Sequence, residues 1–128
     1  MIKIETPKYS FIKRKDDGSI DYISPVPCPF NYGSVLDTVS GDGDRLDAIV
    51  LGPKLKFGQE VDYPVVGVVE FMDKGEPDPK FIYSKNPITR IEKLKISSFF
   101  FVFSMAKKAL NKARGKEGLT KVLSFEIK

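Results

Sequence analysis

The first 83 residues of this chain alternate between short apolar segments and clusters of Pro, Gly and Asp. The apolar segments are rich in β-branched and aromatic residues, which favour extended backbone, and the clusters interrupt any longer element. The segments are residues 9–15, 19–23, 34–39, 47–51, 61–71 and 80–83. An Asp16-Asp17-Gly18 turn between the first two predicts a β-hairpin. Several short strands at this spacing predict a small closed β-barrel.

The sequence pattern changes after residue 90. Apolar residues recur every three or four positions in residues 91–114, which predicts one amphipathic helix. Ser97 or Ser98 is expected to cap its start and Gly115 to end it, while its aromatic residues pack on the barrel. The alternation in residues 119–127 then predicts a closing strand. The expected fold class is therefore mainly β (α+β).

The composition excludes several kinds of catalysis. The chain has no histidine and one cysteine, Cys28, which is expected to be a small apolar filler. It therefore lacks the residues of Ser-His-Asp and Cys-His nucleophilic sites, of thiolate or imidazole metal sites, and of an internal disulfide. Any bound metal must take oxygen ligands, which favours Mg²⁺ or a similar hard cation.

Length and charge narrow the class of protein further. The 128 residues are expected to form one domain, residues 1–128. No apolar run approaches the roughly 18 residues that a membrane span needs, and the first residues do not resemble a signal peptide. We therefore expect a cytoplasmic protein without a membrane partner. The net charge of +4 favours phosphate-bearing partners without choosing among small anions, nucleic acid and acidic lipid.

Two acidic segments carry the strongest chemical signal. The first places Asp42, Asp44 and Asp47 around a glycine turn. Carboxylates this close repel one another unless a cation lies among them or water solvates the turn, and both interpretations stay open for this segment. The second segment places Asp73 and Asp78 in a loop between two strands, where solvated charge is the ordinary interpretation. If the two loops converge at the mouth of one barrel, they can form a small-molecule site.

Several segments in collinear order resemble one protein family. They are Ile4-Glu5-Thr6-Pro7, Ile12-Lys13, Phe30-Asn31-Tyr32-Gly33, Asp42-Gly43-Asp44-Arg45-Leu46-Asp47, Pro64-Val65-Val66-Gly67, and Asp73 with Asp78 and Lys80. Their order and spacing over residues 2–84 resemble the soluble family I inorganic pyrophosphatases. The resemblance implies a small five-stranded OB-type β-barrel with a flanking C-terminal α-helix. It also implies Mg²⁺-dependent hydrolysis of inorganic diphosphate to two phosphates.

The resemblance further implies roles for individual residues. The aspartates matching Asp42, Asp47 and Asp78 hold a first metal, with Mg²⁺ expected and Mn²⁺ as an alternative. Those matching Asp73 and Asp78 hold a metal that arrives with the substrate. The residue matching Asp44 acts as general base toward the attacking water. The other matched residues hold substrate or organise the site, and they are the carboxylate Glu5, Lys13, Tyr32 and Lys80.

The sequence departs from the family pattern at several phosphate-binding or metal-binding positions. Lys15 stands in place of a metal-binding glutamate, Tyr22 in place of an arginine, and Phe103-Ser104 in place of a Tyr-Lys pair. Each lost charge-assisted contact forfeits on the order of 1.5 to 3 kcal/mol, so we expect an activity that is reduced or shifted to another substrate. Other cations, including lysines of the predicted helix, are candidates to replace the lost contacts.

Two alternatives therefore accompany diphosphate hydrolysis. One is hydrolysis of another phosphoanhydride by the same metal chemistry. The other is a non-catalytic barrel that binds a phosphorylated ligand or nucleic acid, for which the basic charge and aromatic residues near its start are the support. The leading expectation for partners is a small-molecule substrate without nucleic acid, and a homo-oligomer is left open.

Overall fold

The computed structural model describes residues 1–14, 19–23, 27–36, 38, 45–73, 75–115, 118 and 120–127. Most strands are short because Pro, Gly or Asp residues follow them closely. The elements are β1 (Ile2–Thr6), β2 (Ile12–Arg14), β3 (Ile20–Ile23), β4 (Asn31–Val35), β5 (Asp47–Val50), β6 (Glu60–Val61), β7 (Val65–Asp73), β8 (Glu76–Pro77), β9 (Lys80–Tyr83), α1 (Arg90–Ala113) and β10 (Lys121–Ile127).

The main sheet has the strand order β10-β7-β9-β5-β4-β1-β6, with β8 paired to β7. Within the described residues this hydrogen-bonded path is open between β10 and β6. Neighbouring strands are antiparallel except β5 and β9, which run parallel. Because β5 and β9 run in the same direction, their first residues, Asp47 and Lys80, lie side by side at one end of the sheet. The predicted mainly β class with one C-terminal helix is confirmed.

The predicted N-terminal hairpin is also confirmed. β2 pairs antiparallel with β3, with Ile12 opposite Ile23 and Lys13 opposite Tyr22. The turn itself, residues 15–18, lies outside the described residues, and so does the family departure at Lys15.

The main core lies between α1 and the sheet. Rings of Phe30, Phe71, Phe99, Phe100 and Phe103 meet there, all of them buried. The centroids of Phe30 and Phe99 are 5.1 Å apart and those of Phe71 and Phe103 are 5.6 Å apart, both in edge-to-face geometry. This geometry is favoured by the charge distribution of aromatic rings. The helix aromatics therefore pack on the sheet, as the sequence predicts.

The helix begins earlier than the predicted caps. Thr89 is the N-cap, and its Oγ1 accepts a hydrogen bond from the Glu92 backbone N–H while the Glu92 carboxylate accepts one from the Thr89 N–H. The expected caps, Ser97 and Ser98, lie inside the helix and are exposed, so that prediction was wrong. The reciprocal Thr-x-x-Glu pattern satisfies two backbone N–H groups that would otherwise end unpaired. In the described part of the chain, no helix has the length and apolar character required to cross a membrane.

Candidate active site

The Asn31-Tyr32-Gly33 segment forms the start of β4, earlier than the strand predicted at residues 34–39. Asn31 is fully buried, and its Oδ1 accepts a hydrogen bond from the backbone N–H of Leu55 at 2.8 Å, which ties a loop to the strand. Gly33 lies against β1, where an added Cβ would be 2.0 Å from the Lys3 carbonyl oxygen. Only glycine fits this close approach. The ring of Tyr32, between them, belongs to the main core.

Lys80 lies at the start of β9 with its ammonium group buried between two carboxylates. Its Nζ donates to Asp78 Oδ2 at 2.7 Å and makes a short contact to Asp47 Oδ2. The Lys80 side chain is only 2% exposed, whereas those of Asp47 and Asp78 are 21% and 27% exposed. Nζ is also 5.4 Å from the centre of the Phe71 ring and 6.0 Å from that of Tyr32, within range of cation–π attraction.

The strand register produces this arrangement. Asp47 and Lys80 are partners in the parallel pairing of β5 and β9. The backbone N–H of Asp78 donates to the Phe71 carbonyl oxygen at 2.8 Å, which holds Asp78 beside β7. Because residues two apart in extended backbone share a face, Asp78 and Lys80 point the same way. Carboxylates from two distant segments of the sequence thus reach one ammonium nitrogen.

The phenol of Tyr32 is held in its neutral form by these surroundings. Burial raises the pKa of Tyr32 well above its ordinary value, and the negative charges of Asp47 and Asp78 raise it further. The hydroxyl therefore keeps its proton throughout the physiological pH range. A neutral phenol beside two carboxylates can act as a hydrogen-bond donor.

Asp73, at the end of β7, faces the helix. Its Oδ1 accepts hydrogen bonds from Asn111 Nδ2 at 2.9 Å and from Thr120 Oγ1 at 3.3 Å. Its Oδ2 lies 3.9 Å from Lys107 Nζ, and the side chains of Asp73 and Lys107 are 11% and 12% exposed. Sequence reasoning assigned no role to Asn111 or Thr120. The available signal was Asn111 itself, which like Ser104 is a polar residue on the mostly apolar buried face of α1.

The remaining predicted residues are placed less completely. Glu5 is buried in β1, where the pairing with β4 is irregular. Lys13 is in β2, but its side chain is outside what the structure describes. Asp42 and Asp44 fall in residues 39–44, also outside the described residues.

The described residues on either side of that segment are hydrogen-bonded to each other. The backbone N–H of Leu46 donates to Thr38 Oγ1 at 3.0 Å, and the N–H of Val35 donates to the Leu46 carbonyl oxygen at 2.8 Å. The chain therefore leaves β4 and enters β5 at one place, directly beside Asp47.

The donor chemistry of the site suits a hard divalent cation. Asp47, Asp73 and Asp78 supply carboxylate oxygens, the ligands that Mg²⁺ prefers. Among the residues that the structure describes, no three acidic, histidine or cysteine side chains form a metal-binding group. Asp47 and Asp78 share the buried positive charge of Lys80, so these two carboxylates are suited in kind to bind a cation.

Comparison with known proteins identifies the family. The family model described as inorganic pyrophosphatase matches residues 2–117 of the chain. The chain belongs to the inorganic pyrophosphatase family. The soluble family I resemblance seen in the sequence is thereby confirmed.

Two relatives illustrate the extent of the similarity. The inorganic pyrophosphatase of Malacoplasma penetrans is 34% identical over 89 aligned positions, and the match covers 63% of this chain and 49% of that protein. That of Geobacillus stearothermophilus is 36% identical over 78 aligned positions, and the match covers 59% of this chain and 47% of that protein. The chain thus spans about half the length of the curated relatives it matches.

Solved inorganic pyrophosphatases share the fold over nearly the whole chain. The crystal structure of the inorganic pyrophosphatase from Thermus thermophilus has a TM-score of 0.76 at 27% identity. The match covers 98% of this chain and 80% of the Thermus thermophilus chain. That from Neisseria gonorrhoeae has a TM-score of 0.74 at 28% identity with the same coverage. The predicted OB-type fold with a C-terminal helix is confirmed. The short strands β6 and β8 and the terminal strand β10 add to the five consecutive strands β7-β9-β5-β4-β1.

Two departures from the inorganic pyrophosphatase pattern are visible on α1. Phe103 packs edge-on against Phe71, and Ser104 Oγ donates to the Phe101 carbonyl oxygen at 2.9 Å. Both side chains are buried, with exposures of 4% and 8%. Neither is a cation, so these two positions provide no positive charge for a phosphate. The side chain of Tyr22, a third departure, is outside what the structure describes.

Proposed function

We propose that this chain, as a single cytoplasmic domain, hydrolyses inorganic diphosphate to two phosphates with Mg²⁺ or Mn²⁺. The observation that carries the proposal is the burial of Lys80 between Asp47 and Asp78, which come from two separate acidic segments. Solvated turns do not account for this cluster, because the Lys80 side chain is almost wholly buried. The side chains of Asp47 and Asp78 are mostly buried as well. Membership of the inorganic pyrophosphatase family supports the same activity.

The metal would be held by Asp42, Asp47, Asp73 and Asp78. When bound there, it supplies a water of lowered pKa and neutralises charge on the phosphoryl groups, which replaces the histidine that the chain lacks. Three of these carboxylates are held in place, Asp47 by strand pairing, Asp78 by its backbone hydrogen bond to Phe71, and Asp73 by hydrogen bonds to its side chain. Preorganised ligands of this kind reduce the reorganisation needed for catalysis.

Lys80 and Tyr32 organise the site in this proposal. The Lys80 ammonium fixes the orientation of the Asp47 and Asp78 carboxylates by hydrogen bonds and limits their mutual repulsion. The Tyr32 hydroxyl, kept protonated by its raised pKa, can donate a hydrogen bond to an anionic oxygen. Lys13 and the carboxylate of Glu5 complete the set, with Lys13 holding a phosphoryl oxygen.

Asp44 is the proposed general base. It is three residues from Asp47 along the chain, so extended backbone limits the separation of their Cα atoms to about 10 Å. The hydrogen bond from the Leu46 N–H to Thr38 Oγ1 brings the chain back to the start of β5. A carboxylate within this reach can accept a proton from the attacking water.

A second candidate is hydrolysis of another phosphoanhydride. The burial of Phe103 and Ser104 favours it, because the residues at these positions cannot grip a phosphate as the family's Tyr-Lys pair does. A substrate with more than two phosphoryl groups is longer than diphosphate, so it can contact cationic side chains that diphosphate does not reach. Triphosphate, longer polyphosphate and nucleoside triphosphates are the substrates that would distinguish this candidate.

The test is phosphate release by the purified full chain from diphosphate and from that panel, with Mg²⁺ or with a chelator. We expect diphosphate to be the best substrate and release to require the divalent ion. Asp44→Asn should abolish release, whereas Asp62→Asn, the same change at an exposed residue, should leave it unchanged. Metal-dependent release no greater than that of Asp44→Asn would reject the proposal. Faster release from another substrate would favour the second candidate.

A further inference from the structure

The buried face of α1 changes from apolar to polar near its C-terminal end. Phe99, Phe100 and Phe103 are followed on that face by Ser104 and Asn111, all buried. Lys107 lies between the last two, three residues after Ser104 and four before Asn111, a spacing that keeps all three on one side of a helix. Its side chain is only 12% exposed. Lysine is seldom buried to this extent without a charged partner.

Lys107 forms an ion pair with Asp73, and the distance between the two charged groups is long. The Nζ to Oδ2 distance is 3.9 Å, compared with 2.7 Å between Lys80 and Asp78. A charge-assisted hydrogen bond has a length of about 2.7 to 2.9 Å, so the Lys107 ammonium is attracted to Asp73 without a full hydrogen bond to Oδ2. The other oxygen, Oδ1, is bonded to Asn111 and Thr120. The carboxylate is therefore fixed on one side and only electrostatically paired on the other.

The Asp73 and Lys107 pair is continuous with the buried Lys80 cluster. Lys80 is opposite Val69 in the pairing of β9 with β7, and the Asp78 N–H donates to the Phe71 carbonyl oxygen. Asp73 lies two residues beyond Phe71, so it shares a face with Phe71 and is a diagonal neighbour of Asp78. Diagonal neighbours across an antiparallel pair are about 7 Å apart, within the span of one diphosphate and its counter-ions.

From these contacts we propose that Lys107 is a substrate-binding residue, whose ammonium donates to a phosphoryl oxygen of diphosphate. This inference rests on the proposed function. Residues three apart in a helix are about 4.5 Å apart along its axis, a distance that the flexible lysine stem covers. Lys107 thus restores a cation on the helix face where Ser104 has none. Because Asp73 Oδ2 is 3.9 Å from Lys107 Nζ, it could turn to a divalent cation while the Lys107 ammonium contacts a phosphoryl oxygen.

The test compares Lys107→Gln with Lys108→Gln. Glutamine keeps a polar partner for Asp73 and deletes the charge, while Lys108 is the adjacent lysine and is exposed. Calorimetry would measure the binding of imidodiphosphate, which is not hydrolysed, in Mg²⁺, and separately the binding of Mg²⁺ alone. Loss of a charge-assisted contact should weaken imidodiphosphate binding by about 10- to 100-fold in Lys107→Gln. Mg²⁺ binding should be equal or tighter, because a competing cation is removed, and Lys108→Gln should stay within about twofold on both measurements.

Several outcomes would overturn the inference. Imidodiphosphate binding by Lys107→Gln within about twofold of Lys108→Gln would do so, and so would a parallel loss of Mg²⁺ affinity, which would show that Lys107 only orders Asp73. If Lys107→Gln does not fold, the unaltered protein labelled with nitrogen-15 lysine decides. The Nζ resonance of Lys107, assigned with Lys107→Arg, must shift on addition of imidodiphosphate.

The proposed function can fail separately. Binding of imidodiphosphate that depends on Lys107, without hydrolysis of diphosphate, would reject the activity and keep the binding residue. Hydrolysis unaffected by Lys107→Gln would keep the activity and reject the binding residue. No binding of imidodiphosphate by the unaltered protein would reject both.

Discussion

Replacing Lys80 by methionine removes the buried positive charge and keeps a side chain of similar length. The change leaves the carboxylates of Asp47 and Asp78 next to each other with neither of their hydrogen bonds to Nζ. Removing one partner of a buried ion pair typically costs about 3 to 5 kcal/mol, because the other charge stays buried. Here the carboxylates are 21% and 27% exposed, so water recovers part of that cost. We therefore expect the free energy of unfolding to fall by about 3 kcal/mol, the lower end of that range. This corresponds to a decrease of roughly 10 °C in melting temperature.

Urea denaturation at neutral pH, with a chelator present, measures the free energy of unfolding of both proteins. Lys54→Met is the matched control, because Lys54 is exposed and its replacement should change stability by less than about 0.5 kcal/mol. Added Mg²⁺ should stabilise Lys80→Met more than the unaltered protein, since a cation bound only to the folded state adds to its stability. A loss below about 1 kcal/mol for Lys80→Met would refute the reasoning, since the ion pair would then be contributing as an exposed one does.

Three further predictions concern the fold around the site. Thr89→Ala should lower the free energy of unfolding by about 1 kcal/mol in urea denaturation, while Ser97→Ala, at the cap expected from sequence, should change it little. Gly33→Ala should cost about 3 kcal/mol, because its Cβ would meet the Lys3 carbonyl oxygen, and circular dichroism melting that matches the unaltered protein would contradict this. Burial raises the pKa of Cys28 from 9.0 to about 12, so its contribution to stability is complete below pH 9 and is lost as pH rises toward 12. Between pH 9 and pH 10, the free energy of unfolding measured in urea should therefore fall by about 1 kcal/mol less for Cys28→Ala than for the unaltered protein. Equal decreases in the two proteins would contradict a buried thiol.

The sequence predicted the fold where local patterns and tertiary structure agree. The hairpin of β2 and β3 and the strands β5 and β9 follow from apolar runs bounded by turn residues. The spacing predicted a helical segment at residues 91–114, close to the observed Arg90–Ala113, but the expected caps at Ser97 or Ser98 would have started the helix too late. Its cap was misassigned because Ser97 and Ser98 are good caps in isolation, whereas Thr89 with Glu92 precedes the strongly apolar region.

Part of the candidate site was predicted from resemblance to a family, whereas the fold was predicted from local sequence patterns. Asp47, Asp78, Lys80 and Tyr32 were named from family spacing, and the structure brings these four together. Lys107 was considered only as one of several cations that could replace the lost phosphate contacts, and Asn111 and Thr120 were not assigned. Their contacts with Asp73 span 34 to 47 residues of sequence and follow from no local pattern.

By itself the sequence determined which chemistry is available to this protein. Without histidine and with a single cysteine, it leaves carboxylates, lysines and hydroxyls as the reactive groups, and its turns and periodicities determined short strands followed by one helix. The tertiary structure alone decided which of these charges meet. The parallel register of β5 and β9 places Asp47 against Lys80, and the docking of α1 places Lys107 against Asp73. Burial makes the contacts of Lys80 with Asp47 and Asp78 stronger than exposed ion pairs, because water screens these charges less.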